Sequence, residues 1–272
     1  MAFAWLKGHG TENDFVLLPD ADGSVHGTLD SAFVAALCDR HRGLGADGVL
    51  RVIRTEVLRT LEARAADSAS EWFMDYRNAD GSVSEMCGNG VRVFAKHLID
   101  EGWETSPVIV GTRAGDRTVT ANDDGTYSVE MGIAETRGTS KVTIAEGRSF
   151  EVMDVRVGNP HAVAVVAALS DAGALQQEPG YDHSVYPDGV NIEFVVVYTP
   201  SHLAIRIHER GSGETRSCGT GAVAAAVAAG TDETRVDVPG GTLHVTHHAD
   251  GTTILTGPAE IVARGELEWL TL

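Results

Sequence analysis

Two of the three cysteines in the 272-residue chain lie in matching motifs, CGNGVRVFA from Cys87 and CGTGAVAAA from Cys218. A thiol placed directly before a helix faces unsatisfied backbone N–H groups and the positive end of the helix dipole, which favours the thiolate. The glycines after each cysteine let the backbone approach an anion such as a carboxylate. The motifs therefore predict racemisation or epimerisation by two bases, in which one thiolate removes a proton from a carbon and an opposite thiol returns one.

The opposing interpretation is that Cys87 and Cys218 are only small buried residues, as free cysteines commonly are. Their repetition within matching glycine-rich turns favours the catalytic interpretation. For Cys38 the reverse holds, because it shares a helical stripe with Val34 in SAFVAALCDR and is predicted to belong to the core. The chain contains no CxxC, and three widely spaced cysteines fit free thiols better than a disulfide framework.

The sequence around the two cysteines is repeated as well. Asn78 and Glu209 each lie nine residues before their cysteine, and the stretch 108–135 parallels 236–260, with DDGT over ADGT and MGIAE over TGPAE. Self-similarity at about half the chain length indicates an internal duplication. Glu209 opposite Asn78 breaks the symmetry, so a difference between the two bases could be encoded there.

Strands and helices alternate in both halves. Short strands are predicted at 72–76 and 203–207, each followed by a polar glycine-rich turn and then the cysteine. The helix after Cys87 has one apolar stripe and is closed by Gly102, while its counterpart at 222–229 is apolar all round and should be buried. The predicted fold is α/β (α+β), with two pseudo-symmetric domains that each consist of a mixed sheet wrapped around a central helix.

The predicted domains are an N-terminal repeat over 1–132, which carries Cys87, and a C-terminal repeat over 133–262, which carries Cys218. The tail 263–272, with Trp269 as an apolar anchor, is predicted to cross back and pack on the first repeat. We base this on the strand-like alternation in the tail and on the first half's lack of a returning strand of its own. The segment 54–71 has no counterpart in the second half, and we interpret it as a peripheral insertion.

Composition narrows the function classes. The net charge of −18, from 39 acidic and 21 basic residues, works against a nucleic-acid partner. Residues 1–10 lack the pattern of a signal peptide and no apolar run approaches a membrane span, so a cytoplasmic protein without a membrane partner is expected. The three lysines lie outside any phosphate-cradling loop and no nucleotide fingerprint is present, which predicts no cofactor. No metal site is predicted either, because the doublet His247-His248 has no evident third ligand.

Six longer motifs run in order along the chain. They are GHGTENDFVLLPD (8–20), RHRGLGADGV (40–49), FMDYRNADGSVSEMCGNG (73–90), VGNPHAV (157–163), GVNIEF (189–194) and HERGSGETRSCGTG (208–221). In these motifs the chain resembles the diaminopimelate epimerase family. The resemblance implies a fold of two similar domains, and a homodimer that interconverts LL- and meso-diaminopimelate without a cofactor, on the route to lysine and peptidoglycan precursors.

Carried over residue by residue, the resemblance implies that Cys87 and Cys218 are the two catalytic bases and that His161 and Glu209 tune the thiols. The residues implied to bind the carboxylate of the reacting centre are Gly88, Asn89, Gly219 and Thr220. The residues implied to bind the rest of the substrate are Asn13, Asn78, Asn159, Asn191, Glu209 and Arg210. One departure is Gly48, where many family members have glutamine, so a polar contact is missing or supplied from elsewhere.

The residue types agree with such a substrate. Diaminopimelate carries an ammonium and a carboxylate at each end, asparagine side chains both donate and accept hydrogen bonds, and Arg210 could grip the distal carboxylate. Two rivals remain open from the residues alone. One is a two-cysteine racemase of proline or hydroxyproline, which needs no distal clamp. The other is a non-catalytic amino-acid binding protein, which would not exchange the α-hydrogen of its ligand with solvent.

Overall fold

The computed structural model describes residues 2–61 and 68–268. The chain divides into two compact units. The N-terminal unit consists of Met1–Val129 with Pro258–Leu272, and the C-terminal unit is Glu130–Gly257. Each unit has a sheet and a central helix of its own.

Some sequence predictions fall outside this description. Trp269 and part of the 54–71 insertion lie beyond the described residues. The boundary between residues 132 and 133 concerns the duplication and stays a prediction, whereas the compact units divide between Val129 and Glu130.

Within the described residues the chain forms eighteen strands and four α-helices. The strands are β1 (Ala2–Gly10), β2 (Asn13–Pro19), β3 (Gly48–Arg54), β4 (Trp72–Asn78), β5 (Val108–Gly111), β6 (Arg117–Ala121), β7 (Tyr127–Ile133), β8 (Glu135–Thr143), β9 (Ser149–Val157), β10 (Asn159–Val165), β11 (Gly180–Tyr181), β12 (Asn191–Thr199), β13 (His202–Glu209), β14 (Gly213–Thr215), β15 (Glu233–Val238), β16 (Gly241–His247), β17 (Thr252–Gly257) and β18 (Glu260–Glu268). The helices are α1 (Ser31–Cys38), α2 (Thr55–Leu61), α3 (Gly88–Asp100) and α4 (Gly219–Ala229), and a 3₁₀ helix spans Leu169–Ala172.

The sheet of the N-terminal unit is mixed. Its strands lie side by side in the order β18, β1, β2, β3, β4, β5, β6 and β7, and neighbours are antiparallel except for the parallel pairs β2–β3 and β4–β5. The register places Phe15 beside Gly48, and Gly48 opposite Asn78. The parallel pair β4–β5 is connected by α3, since parallel neighbours need a crossover.

The sheet of the C-terminal unit repeats this arrangement. Its strands follow the order β8, β9, β10, β12, β13, β15, β16 and β17, with parallel pairs β10–β12 and β13–β15 and antiparallel neighbours elsewhere. The short strands β14 and β11 pair with β13 and β8. His161 stands beside Asn191 in the parallel ladder of β10 and β12.

The same series of antiparallel and parallel neighbours therefore occurs twice, which confirms the predicted fold of two mixed sheets, each with a central helix. The first strand of each series comes from an unexpected part of the chain. In the C-terminal unit it is β8, which follows directly on β7. In the N-terminal unit it is β18, which follows directly on β17.

The central helices α3 and α4 begin directly after the two cysteines, as predicted. Each packs against seven strands of its own unit: α3 against β1–β6 and β18, and α4 against β9, β10, β12, β13 and β15–β17. Near the ends of the two helices, Gly102 and Gly230 adopt φ of +69° and +68°, where glycine is favoured. The single stripe predicted for α3 is too narrow, because the structure also buries Arg92, Val93 and His97.

Cys38 lies in the core of the N-terminal unit, as predicted. It packs at the end of α1 in a cluster with Phe3, Val34 and Leu37, and burial raises the pKa of its thiol to about 11. Residues 263–268, the described part of the predicted tail, belong to β18 beside β1. In that ladder Leu267 stands opposite Phe3 and packs against the cluster.

Candidate active site

Cys87 occupies the N-cap of α3. Its backbone is extended, with φ −138° and ψ 120°, and the amide of Gly90 donates to its Sγ at 3.4 Å. Asn13 Oδ1, at the start of β2, lies 3.6 Å from Sγ and accepts from the thiol. Asn89 Nδ2 donates to the same Oδ1 at 3.2 Å. The structure therefore brings together one predicted base and two predicted binding residues.

Charged side chains form hydrogen bonds with the amide groups of Asn13 and Asn89. Asn13 Nδ2 donates to Asp47 Oδ2 at 2.9 Å, and Arg92 Nη2 donates to Asn89 Oδ1 at 2.9 Å. Sequence reasoning missed both groups. In the sequence, Asp47 is typical of a turn or cap residue, and Arg92 sits inside the CGNGVR motif among the apolar residues of the helix.

Cys218 occupies the matching N-cap position of α4. Its backbone has φ −130° and ψ 117°, and Gly221 N–H donates to its Sγ at 3.4 Å. The hydroxyl of Thr220 also lies 3.4 Å from Sγ, and Asn159 Nδ2 donates to that hydroxyl at 3.4 Å. Burial, together with the charges of Glu209 and Glu193, raises the pKa of Cys218 well above its usual value, against the lowering effect of these hydrogen bonds.

His161 is fully buried, is connected to Cys218 through Asn159 and Thr220, and has partners on both ring nitrogens. Nε2 is 2.9 Å from Asn159 Oδ1, and Nδ1 is 2.5 Å from Glu193 Oε1. Burial raises the pKa of Glu193, against the attraction of His161. Sequence reasoning missed Glu193, although a lone acidic residue inside the apolar strand NIEFVVVY was a usable signal.

The remaining residues predicted for the C-terminal unit lie where β12 begins and β13 ends. Asn191 Oδ1 accepts from the backbone N–H of Arg210 at 3.0 Å. The Arg210 guanidinium is exposed and donates to the carbonyl of Asp188 at 2.8 Å. Glu209 accepts a hydrogen bond from the hydroxyl of Thr215.

Asn78 ends β4 in the N-terminal unit, and its Nδ2 donates to Ser82 Oγ at 3.0 Å. Its ladder neighbour Gly48 has no room for a side chain on the present backbone, because a Cβ there would lie 2.5 Å from the carbonyl oxygen of Arg77. The departure at Gly48 is thus built into the backbone packing of β3 against β4.

Within residues 2–61 and 68–268, no group of three or more His, Cys, Asp and Glu side chains is arranged to hold a metal ion. In the same part of the chain, no helix has the length and apolar character needed to cross a membrane.

Solved structures share this fold. A protein from Pseudomonas aeruginosa described as a predicted epimerase superposes with a TM-score of 0.71 at 15% identity, covering 97% of this chain and 99% of its own. A hydroxyproline epimerase from Agrobacterium vitis, with bound trans-4-hydroxy-L-proline, gives a TM-score of 0.67 at 14% identity, covering 98% and 92%. The likeness shows that the chain has the duplicated α+β fold of a class of epimerases.

Sequence comparison narrows the class to one family. The sequence model of diaminopimelate epimerase matches residues 5–136 and 153–262. The diaminopimelate epimerase of Streptomyces coelicolor is 52% identical over 284 residues, which cover 98% of this chain and 96% of that protein. The chain belongs to the diaminopimelate epimerase family. It is therefore an isomerase, and the predictions of family and of enzyme class are confirmed.

Proposed function

We propose that the chain interconverts LL- and meso-2,6-diaminopimelate without a cofactor, with Cys87 and Cys218 as the two bases, in the biosynthesis of lysine and peptidoglycan precursors. The observation that carries the two-base assignment is the matched placement of the thiols. Each is the N-cap of a buried helix and lies 3.4 Å from the amide of the glycine three residues on. Membership of the family supports the substrate.

The chemistry follows from the helix N-termini. Residues Gly88, Asn89, Gly219 and Thr220 supply N–H groups for the substrate carboxylate, and these groups stabilise the negative charge that moves onto it when the α-proton leaves. One thiolate takes the α-proton from one face, which leaves a carbanion, and the other cysteine gives its S–H proton to the opposite face. The configuration inverts, one thiol and one thiolate remain, and the two cysteines have exchanged roles.

The distal end of the substrate needs recognition without excess charge. We assign this role to the polar set Asn13, Asn78, Asn159, Asn191, Glu209 and Arg210. Asn13 also accepts a hydrogen bond from the thiol of Cys87, and Asn159 donates to the hydroxyl of Thr220 next to Cys218. Arg210 is exposed at the end of β13 and carries guanidinium donors suited to a carboxylate.

The oligomeric state and the cellular location are proposed mainly from the family resemblance. We propose that the enzyme is a homodimer, to be tested by light scattering after gel filtration. We also propose a cytoplasmic location, in keeping with free thiols in a reducing compartment. Cell fractionation tests the second point.

The deciding experiment is incubation of the purified protein with LL-diaminopimelate in D2O, without added cofactor and with a metal chelator. Proton NMR should show loss of the α-hydrogen signal together with formation of the meso isomer. Parallel samples with L-proline and trans-4-hydroxy-L-proline test the rival racemase. Binding without exchange of the α-hydrogen would support the non-catalytic rival, and exchange of proline alone would support the racemase.

A further inference from the structure

The internal duplication makes the surroundings of the two thiols directly comparable. Cys87 and Cys218 share the N-cap position, so Arg92 in α3 and Val223 in α4, each five residues after its cysteine, are equivalent. Both side chains are fully buried. One copy of the fold therefore buries a guanidinium where the other buries an isopropyl group.

Arg92 is held by neutral oxygens. Its guanidinium donates to Gly88 O at 3.1 Å, Asn89 Oδ1 at 2.9 Å and Pro258 O at 3.2 Å. In the part of the chain that the structure describes, no carboxylate forms an ion pair with it. The backbone of Gly10 packs closely against the guanidinium, since a Cβ at this position would lie 2.9 Å from Arg92 Nη2.

A buried cation without an anion is costly, since its lost hydration is not replaced by an opposite charge. Burial lowers the pKa of Arg92 to about 10, and the charge of Cys87 acts against this shift. Arg92 is therefore still protonated at neutral pH. The group whose negative charge acts on Arg92 is the thiolate of Cys87, at the N-cap of the same helix.

The other thiol has the opposite electrostatic setting. Around Cys218 the acidic groups are Glu209 on β13 and Glu193 on β12, with His161 on β10 bound to Glu193. On the Cys87 side, Asp47 is connected to the thiol through Asn13, which donates to Asp47 and accepts from the thiol.

We propose that Arg92 is a positioning residue that holds Cys87 as the thiolate in the substrate-free enzyme, so that Cys87 is the resting base and Cys218 the resting acid. This inference rests on the proposed two-base function and specifies its starting state. Arg92 acts in two ways: its charge favours the thiolate over the protonated form that donates to Asn13 Oδ1, and its hydrogen bonds to Gly88 O and Asn89 Oδ1 orient the first residues of α3.

The test is the pH dependence of alkylation by iodoacetamide, with Cys87, Cys218 and Cys38 quantified separately by peptide mass spectrometry. For each thiol we compare the midpoint, which is the pH at which alkylation is half-maximal. The absolute alkylation rates are not compared, because the two active-site thiols differ in exposure. In Arg92→Met the midpoint of Cys87 should rise by about one pH unit or more, the usual effect of losing a nearby opposite charge. Alkylation of Cys87 at neutral pH should then slow about tenfold or more.

Two matched variants separate charge from packing. Arg92→Lys keeps a cation and should leave the midpoint of Cys87 near that of the wild type. Val223→Met changes the equivalent buried position of α4 and should not move the midpoint of Cys87. Equal shifts in Arg92→Met and Arg92→Lys, or no shift in either, would overturn the proposal.

A second measurement does not depend on Arg92 variants, which could fail to fold. The thiolate absorbance near 240 nm is measured at neutral pH in Cys87→Ala and Cys218→Ala. The signal should vanish in Cys87→Ala and persist in Cys218→Ala, and the reverse result sinks the proposal. Deuterium exchange by the wild type on the same preparation keeps the two ideas apart. If exchange occurs but the thiolate is on Cys218, the resting-base assignment alone fails, and without exchange the proposed function fails.

Discussion

Asp14 and Arg40 form a two-point ion pair, with 3.0 Å from Nη1 to Oδ2 and 2.7 Å from Nη2 to Oδ1. Lys7 lies 2.7 Å from the same carboxylate. Burial by itself would raise the pKa of Asp14, but the hydrogen bonds and charges of Arg40 and Lys7 lower it from 3.8 to about 2. The strand that begins with Asn13 is thus tied to the loop after α1 by a carboxylate that favours its ionised form in the folded state.

The first prediction is that Asp14→Asn lowers the free energy of unfolding at neutral pH. Because the folded pKa lies below the unfolded one, this contribution is complete above the unfolded value of about 4 and is lost as the pH falls through about 2. Urea unfolding of both proteins over this range should show curves that converge in acid. Asp123→Asn, in the exposed turn between β6 and β7, serves as the control. A gap that stays constant down to the lowest pH would contradict the assignment.

The second prediction concerns the bases. Cys87→Ala and Cys218→Ala should each abolish epimerisation, because each removes the proton carrier for one face of the carbon. Cys38→Ala should keep turnover near that of the wild type. Its thiol has a pKa of about 11 and lies in the core, so it is protonated at neutral pH. A large loss of turnover in folded Cys38→Ala would overturn the assignment.

The third prediction is that Arg210→Ala raises KM for diaminopimelate. If binding of the distal end also helps to orient the reacting centre, kcat falls too. Steady-state kinetics measure both constants. Arg148→Ala is a suitable control, since Arg148 is an exposed arginine of the same unit that pairs with Asp171. Identical kinetics for the two variants would remove Arg210 from the substrate site.

The fourth prediction concerns the buried pair His161 and Glu193. Glu193→Leu should reduce kcat and alter its pH profile, because the imidazole of His161 then loses its partner at Nδ1 and keeps only its contact with Asn159 Oδ1. Glu193→Gln should retain more activity, since an amide N–H can donate to Nδ1. Glu151→Gln, at an exposed position of β9, is the control. Equal activity of the Leu and Gln variants would show that Glu193 does not act through a hydrogen bond.

The fifth prediction concerns the C-terminal segment. Removing residues 263–272 takes away the part of β18 that faces residues 2–7 of β1, and it uncovers the cluster around Phe3. The melting temperature should fall, as measured by circular dichroism. Val262→Ser, at an exposed position of β18, should melt like the wild type. Unchanged melting and activity of the truncated protein would show that this strand contributes little.

Local patterns were sufficient to predict both central helices and the position of each thiol. A cysteine followed by glycines and then by an apolar helical run constrains the backbone within about ten residues, and the duplication doubled the signal. The family resemblance added Asn13 and Asn159, which indeed lie in the hydrogen-bond networks of their units. As isolated asparagines, they would have been interpreted as turn residues.

What the sequence did not reveal depends on distant segments. In the sequence Arg92 looks like an ordinary charged residue of a helix, and Glu193 stands out only by the apolar strand around it. The structure shows that both side chains are fully buried. Phe15 and His161 occupy equivalent positions in the two units, since each stands in a parallel ladder, beside Gly48 and Asn191 respectively. The sequence does not show this equivalence, because each ladder partner lies about thirty residues further along the chain. Non-local pairing of this kind leaves no periodic trace in the chain.

Because the last strand, β18, pairs with the first, β1, the two repeats have the same order of strands only when the chain is treated as circular. In a chain joined from Leu272 to Met1, five residues would connect Glu268 to Ala2, and five residues, 144–148, connect β8 to β9 in the C-terminal unit. The join would give the N-terminal unit the same hairpin connectivity that its counterpart already has. Reopened at the Asp124-Gly125 turn, such a circular permutant would keep every ladder of both sheets, with its new ends between β6 and β7.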